Sequence, residues 1–346
     1  MRIYYFAYSK DAPSGRYRGK YLLEEVNAAF GVSYKIISPT VQNLPILCFL
    51  LLKNALRIDT KNFYIVQKIS TRGVYCSLIS GIILRSKKNC YDLDDAMYEF
   101  RDKRVVDFFI SKCKSVVVAS EHLLKYSEKL NPETHLITTP VPNPRLVKIS
   151  RRKDALVIGW IGIYSVHKES LNALLFPALK RLSFPMTLQL LGVTKHEDMT
   201  DIIDVFSENK NVTINIEKNI DWEDESGIQE RISRFDVGVM PLLDTEIGRS
   251  KSAFKLKQYL SCGVPALASD TGDNKYFIQH GKNGYLCKTE AEWEKYISTL
   301  YTMSDKAFRS LCKEAYLSYT VGSYTLSKTA KAYWKIIHRE DGEHIR

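Results

Sequence analysis

The sequence predicts an α/β protein of two doubly wound, Rossmann-like parallel-sheet domains of similar size. Short apolar runs alternate with helix-length amphipathic stretches, the pattern of parallel strands covered by helices on both faces. This alternation runs through the chain twice. Between the two series stands TPVPNP at residues 139–144, three prolines in six residues, followed by the polar, basic residues 148–154; both favour an extended linker. At 346 residues the chain is long enough for two ordinary cores. The expected domains are 1–143 and 144–322, facing each other across a cleft, with 323–346 as a helix returning to the first.

Residues 2–8 (RIYYFAY) are apolar and aromatic enough for a strand, and they end in the loop-rich residues 9–15. Residues 17–30 then carry helical spacing. The unit recurs as strand 34–37 with helix 44–56, strand 63–66 with helix 73–84, and strand 89–93 with a helix through 97–110. Strand 115–119 leads to a helix over 120–130, with Ser120 as its N-cap. After the prolines come strand 156–161 and helix 169–182, strand 187–191 and helix 198–208, strand 212–216 and helix 223–234. Strand 237–240, helix 252–260 and strand 265–269 follow, and residues 290–337 are mainly helical. Ligands of such sheets bind at the carboxyl ends of the strands, so functional residues are expected there.

With 45% hydrophobic and 26% charged residues, the chain is neither disordered nor collagen-like nor a disulfide miniprotein. Its 50 basic and 39 acidic residues give a net charge of +11, which admits a polyanion or an anionic membrane surface as partner. The excess is uneven: residues 1–143 hold 21 bases and 13 acids, residues 144–346 hold 29 and 26. No nucleic-acid-binding motif accompanies the charge, so nucleic acid is not expected. Seven cysteines (Cys48, Cys76, Cys90, Cys113, Cys262, Cys287, Cys312) lie far apart with no C-x-x-C pair. That argues against a zinc site or disulfide framework and for a reducing, cytoplasmic setting, with the inner face of the cell membrane as a peripheral location. The N-terminal MRIYYFAYSK lacks the apolar core and cleavage site of a signal peptide. The longest apolar run, residues 44–52 (LPILCFLLL), falls well short of the roughly 20 residues that cross a bilayer. Continuous apolarity without a polar face favours a buried helix over 44–56; the alternative is a helix dipping into a membrane interface.

In ALVIGWIGIYSVHKES, residues 155–170, an apolar strand breaks at Gly162 and Lys168 is expected at the start of the next helix. Helix-terminal amides plus a lysine make an anion site suited to a diphosphate; an ordinary turn with a solvent lysine fits equally. There is no Walker A pattern, and Gly159 with Gly162 does not complete G-x-G-x-x-G, so kinase, ATPase and dehydrogenase readings lose support. Further on, Lys251 and Lys255 are four apart and are expected on one helix face, either clamping phosphates or facing solvent.

The stretch QYLSCGVP at 258–265, with Gly272 and GKNGY at 281–285, resembles the nucleotide-sugar-binding motif of glycosyltransferase family 4, E-x-F-G-x-x-x-x-E-A-M-A-x-G-x-P followed by G-G-x-x-E-x-I-x-x-G-x-N-G. The loop from Gly162 to Lys168 is similar to the family's G-R-x-x-x-x-K element, and the loop from Ser14 to Gly19 to its N-terminal glycine-rich loop. The resemblance implies a GT-B fold and retaining transfer of a sugar from a nucleoside diphosphate donor to a glycan or lipid-linked acceptor, in bacterial surface polysaccharide synthesis, without metal or other cofactor. Three positions depart from the pattern: the family's two glutamates fall on Ser250 and Gln258, and its loop arginine on Ile163. Gln258 can hydrogen-bond a ribose but cannot act as a carboxylate, and Lys251 and Lys255 can replace missing positive charge.

The implied donor site is Gly162, Lys168, Ser250, Lys251, Lys255 and Gln258, joined by Gly15 and Arg16 of the first domain. Lys168 and Lys251 are the expected catalytic cations, neutralising the departing diphosphate. His122, just beyond strand 115–119, is the third catalytic candidate, although a lone histidine is more often structural. Asp92-Leu93-Asp94-Asp95 follows a strand and invites a magnesium or manganese reading, but that chemistry belongs to a one-domain architecture. Asp94 and Asp95 are therefore expected to bind acceptor hydroxyls, with Arg18, or to cap the following helix. Two other classes stay open: a sugar-nucleotide epimerase or glycan phosphorylase of the same fold, and a noncatalytic membrane-associated binding protein.

Overall fold

The computed structural model describes residues 1–58, 61–148, 150 and 154–338. The chain forms two compact units. The first comprises Met1–Pro142, Arg249–Ser252 and residues 323–338, the second Asn143–Gly248 and Ala253–Gly322. In the first, strands β1 (Arg2–Phe6), β2 (Ser33–Ile37), β3 (Phe63–Gln67), β4 (Asn89–Leu93), β5 (Ser115–Val118) and β6 (Thr134–Leu136) pair in the order β2-β1-β3-β4-β5-β6. In the second, β7 (Leu156–Ile161), β8 (Met186–Leu191), β9 (Val212–Glu217), β10 (Val237–Met240), β11 (Ala266–Ser269) and β12 (Gly284–Cys287) pair in the order β12-β11-β10-β7-β8-β9. All ladders between these strands are parallel.

Burial explains why the strands were legible. Every residue of β3, β4, β5 and β7 is buried, because helices cover both sheet faces and each strand must be apolar throughout. The pleat still sorts the side chains. Tyr64, Val66, Tyr91 and Leu93 enter one cluster with Phe109, whereas Ile3, Tyr5, Ile65 and Cys90 enter another with Tyr333 and Ile337 of the helix Leu326–Ile337. That helix completes the first unit's core, and Trp334 stacks on Phe30 at 4.7 Å between centroids.

Several elements differ from expectation. The helix expected through 97–110 is two, Met97–Phe100 and Lys103–Lys112, because Arg101 is extended and the Asp102 side chain accepts from the Arg104 amide at 3.0 Å, capping a new start. Residues 14–19 are not a loop: Gly15–Lys20 forms a wide π-helical turn that runs into Tyr21–Phe30. Strands β6 and β12, three and four residues long, were not expected: residues 134–136 offer no apolar run, and residues 284–285 were read as part of the GKNGY motif. Ser120 does cap its helix, accepting from the Leu123 amide at 3.4 Å. Of the predicted linker 148–154, residues 149 and 151–153 lie outside the described residues; Lys148 is buried and donates to Asp236 at 2.8 Å. The helix Leu44–Ala55 is not wholly buried: Leu47 and Leu50 are inside, but Phe49 and Leu52 are exposed. All seven cysteines are free thiols. Among the described residues no helix is long and apolar enough to cross a membrane.

Candidate functional site

In the second sheet the strand order reverses beside β7, which has β8 on one side and β10 on the other. Crossovers leave in opposite directions at such a point and open a crevice at the carboxyl ends of the strands. Strands β7 and β10 pair only at Ile158↔Val237 and Gly159↔Gly238. Beyond these the Tyr259 hydroxyl takes the ladder's place, accepting from the Ile161 amide at 3.3 Å and donating to the Val239 carbonyl at 3.1 Å. Gly238 makes room for it, since a Cβ there would come 2.3 Å from the Tyr259 ring. Burial pushes the phenol well above its ordinary pKa, so it stays a neutral donor.

Two glycines line the mouth of this crevice. Gly162 at φ 147° ends β7 and Gly192 at φ 102° ends β8, conformations that glycine adopts without strain. A Cβ on Gly192 would lie 2.1 Å from the Gly162 carbonyl oxygen, and a Cβ on Gly162 would lie 2.7 Å from Lys255 Cε. Lys255 occupies the first turn of the helix Phe254–Ser261, where side chains lean back toward the N-terminus. Its half-buried ammonium sits 2.8 Å from His167 Nε2 and 5.6 Å from the Trp160 ring centroid. Trp160 meets His167 edge-on at 5.9 Å. With the lysine charged, His167 accepts at Nε2 and carries its proton on Nδ1. The result is a cation fixed by aromatic walls against bare backbone, an arrangement suited to an oxyanion.

Lys168 is placed differently. The helix begins at Tyr164, so Lys168 lies a turn inside it and not at its start. Its ammonium is 2.6 Å from Asp201 Oδ2 and 3.2 Å from Asp198 Oδ1, and these hydrogen bonds raise its pKa. With two carboxylates already neutralising it, Lys168→Ala is expected to change donor affinity and turnover by less than about threefold; a large loss in steady-state kinetics would restore the expected phosphate role.

Lys251 and Lys255 do not share a helix face. Ala253, in the left-handed conformation at φ 54°, separates Lys251 from the helix Phe254–Ser261, and it stands where the family motif has glycine. The segment Arg249–Ser252 belongs to the first unit. There Lys251 Nζ is 2.7 Å from Asp95 Oδ1, Lys68 Nζ bonds the other Asp95 oxygen and lies 3.2 Å from Asp94 Oδ1, and Ser250 Oγ accepts from the Ala96 amide at 3.3 Å. Desolvation would raise the Asp95 pKa, but Lys251 and Lys68 hold it below the ordinary carboxylate value. The expected donor cation Lys251 and acceptor carboxylates Asp94 and Asp95 thus form one ion cluster with Lys68, at the carboxyl ends of β3 and β4.

Arg18 is not presented to an acceptor. It is 1% exposed; its Nε donates to Asp92 Oδ1 at 2.7 Å and its Nη1 to the Ile137 carbonyl at 2.8 Å. The Tyr333 hydroxyl donates to the other Asp92 oxygen. The physical reason is the helical turn Gly15–Lys20, which directs Arg18 inward toward β4. Arg16, two residues earlier, is 3% exposed, and its Nε and Nη1 have no hydrogen-bond partner; Gly15 beside it is buried. His122 is half-buried in the first turn of the helix Glu121–Ser127, after β5. Gln258 is 7% exposed on the helix that carries Lys255. The three carboxylates of Asp92, Asp94 and Asp95 each face a basic side chain. Trp160, His167 and Tyr259 were missed: nothing in the spacing marks a buried strand tryptophan, a histidine beside Lys168 or a tyrosine one turn beyond Lys255.

Residues 155–303, which lie within the second unit apart from 249–252, match the family model described as Glycosyl transferases group 1. No curated protein matches the chain. Among solved structures, HepE of Anabaena in complex with UDP-glucose is 10% identical, with 97% of this chain and 98% of that one covered at a TM-score of 0.66. A glycosyltransferase from Rickettsia africae is 12% identical, covering 97% of each chain at a TM-score of 0.68. The lipopolysaccharide outer core galactosyltransferase WaaB, in its apo form, is 11% identical, covering 97% of this chain and 99% of that one at a TM-score of 0.64. These likenesses establish the fold, which is GT-B.

Proposed function

We propose that this protein transfers a sugar from a nucleoside diphosphate-sugar to a hydroxyl of a glycan or lipid-linked acceptor in bacterial surface polysaccharide synthesis, working in the cytoplasm or on the inner membrane face. The observation that carries the reading is the Lys255 ammonium held against Gly162 at the strand-order reversal of the second sheet. The diphosphate lies over the bare backbone of Gly162 and Gly192, and Lys255 neutralises the charge it gains as the glycosidic bond breaks. Gln258 hydrogen-bonds the donor ribose, and Arg16 of the first unit, with two buried donors lacking partners, binds an anionic acceptor. Ser250, Lys251, Asp94 and Asp95 act indirectly by anchoring residues 249–252. Transfer retains the anomeric configuration. The bond from C1 to the phosphate oxygen breaks, the acceptor oxygen bonds C1 on the same face, and its proton passes to the departing phosphate. Because Lys255 supplies the positive charge, no metal is needed. The glycosyl transferases group 1 match over 155–303 supports the reading. So do the UDP-glucose bound by HepE and the lipopolysaccharide outer core galactosyltransferase activity of WaaB.

The test is a panel of nucleoside diphosphate-sugars and glycan acceptors incubated with the purified chain in excess EDTA, read by mass spectrometry and anomeric NMR. Donor-dependent extension with retained configuration, undiminished by EDTA, is expected. Epimerised donor, phosphorolysis or untouched donor would overturn transfer; loss in EDTA that manganese restores would overturn the metal-free mechanism.

A further inference from the structure

The helix Leu44–Ala55 has two apolar faces. One, with Leu47 and Leu50, is buried in the first unit. The other runs along Val41, Pro45, Phe49, Leu52 and Leu56, helical spacing on the opposite side, and Phe49, Leu52 and Leu56 are 54%, 57% and 60% exposed. A surface helix ordinarily turns polar residues outward; this one turns phenylalanine and leucine outward over about two turns, from Phe49 to Leu56. Lys53 flanks the stripe with its ammonium 5.0 Å from the Phe49 ring centroid. The adjoining helix Val74–Arg85 packs so closely that a Cβ on Gly81 would come 2.9 Å from Leu51 Cδ1, and it adds exposed Leu84 and Arg85.

The charge of the first domain is concentrated in the same stretch. Residues 26–91, which contain both helices, hold nine Lys or Arg and one acid, while the rest of 1–143 holds twelve of each; of the nine, Lys68 and Arg72 pair with Asp94, Asp95 and Asp102, which leaves seven for the surface charge. A second protein would have to match an apolar stripe and a one-signed rim. A bilayer of anionic lipids offers both at once, an apolar boundary under a negative surface. We infer that the helix Leu44–Ala55 docks the first unit onto an anionic membrane surface, with its outer stripe at the headgroup boundary and Lys53, Arg57, Lys61 and Arg85 against lipid phosphates. This stands apart from the donor chemistry, since none of these residues belongs to the proposed transfer site.

The full chain is tested by sedimentation with vesicles of phosphatidylcholine alone or with about one-third phosphatidylglycerol. Binding to the anionic vesicles is expected, with little to the neutral ones and weakening in high salt. Leu52→Glu with Leu56→Glu should cut partitioning at least about tenfold, and Lys53→Gln with Arg57→Gln about 25-fold. Circular dichroism and transfer to a soluble acceptor should be unchanged, which separates lost docking from lost folding. Absence of binding, equal binding to neutral vesicles, or variants that bind as the parent does would overturn the inference. So would a solution dimer that Leu52→Glu dissociates, because the stripe would then belong to a second copy of the chain.

Discussion

Lys255→Ala is expected to lower kcat/KM by about 10²–10³-fold, comparable to removing one fixed electrostatic group from a transition-state site. The loss should fall mainly on kcat. The diphosphate is charged in the bound donor, but it gains further negative charge as the bond to the sugar breaks, so Lys255 interacts more strongly with the transition state than with the ground state. The ammonium is half-buried beside Trp160 and His167, where less water screens it than at an open surface. Lys255→Arg should keep part of the rate while placing its charge differently near Gly162. Thermal unfolding of the alanine variant should stay close to the parent, because the lysine covers no large apolar surface of the core. Steady-state kinetics with varied donor decides the matter: a change in KM alone would make Lys255 a simple binding cation, and unchanged kinetics would remove it from the site.

The second large effect is on stability. Arg18→Met removes the cation from a buried pair, leaving Asp92 to the Tyr333 hydroxyl alone, and should cost about 3–5 kcal/mol. Burial pushes the Asp92 carboxyl above its ordinary pKa, and Arg18 pulls it back. Without the arginine the folded-state value rises further. A group whose folded pKa is raised contributes stability below its unfolded value and loses it as pH rises through the folded value. The deficit of Arg18→Met should therefore be larger at neutral pH than near pH 5, as measured by urea midpoints at both. Replacing both members, Arg18→Met with Asp92→Leu, should recover much of the loss, because no unpaired charge then stays inside. A single variant within about 1 kcal/mol of the parent at neutral pH would contradict this account of the cluster.

Much of the fold was written in hydrophobic runs. Strands such as β3 and β7, buried along their whole length, can only be spelled with apolar residues, so their places could be read directly. Strand β6 offered no apolar run, β12 was hidden in the GKNGY motif, and helix starts shifted where caps or backbone conformation decided them. At Tyr164 that shift moved Lys168 inward; at Ala253, φ 54° separated two lysines that spacing alone had joined. The site was legible only where position along a strand fixed it, as at Gly162. Lys255 was among the candidates, but its partners His167 and Trp160 were not, because they come from different turns of chain that only the folded sheet brings together. The helix Leu44–Ala55 shows the opposite failure. Its unbroken apolarity suggested burial, whereas it reflects two different apolar faces.

Neither unit is one continuous stretch of chain: the backbone passes between them after residues 142, 248, 252 and 322. During synthesis, then, the second unit can close as soon as its last strand and helices emerge, whereas the first must wait for the helix Leu326–Ile337. Tyr333 follows Asp92 by 241 residues, a delay of roughly 10 to 50 s at ordinary elongation rates. Through that interval the sheet face bearing Ile3, Tyr5 and Ile65 is covered by the helix Tyr21–Phe30 without its later neighbour, and Asp92 lacks one of its donors. The unit whose residues are made first is the one completed last, and in that half-built state its apolar sheet face is the surface most open to misassociation.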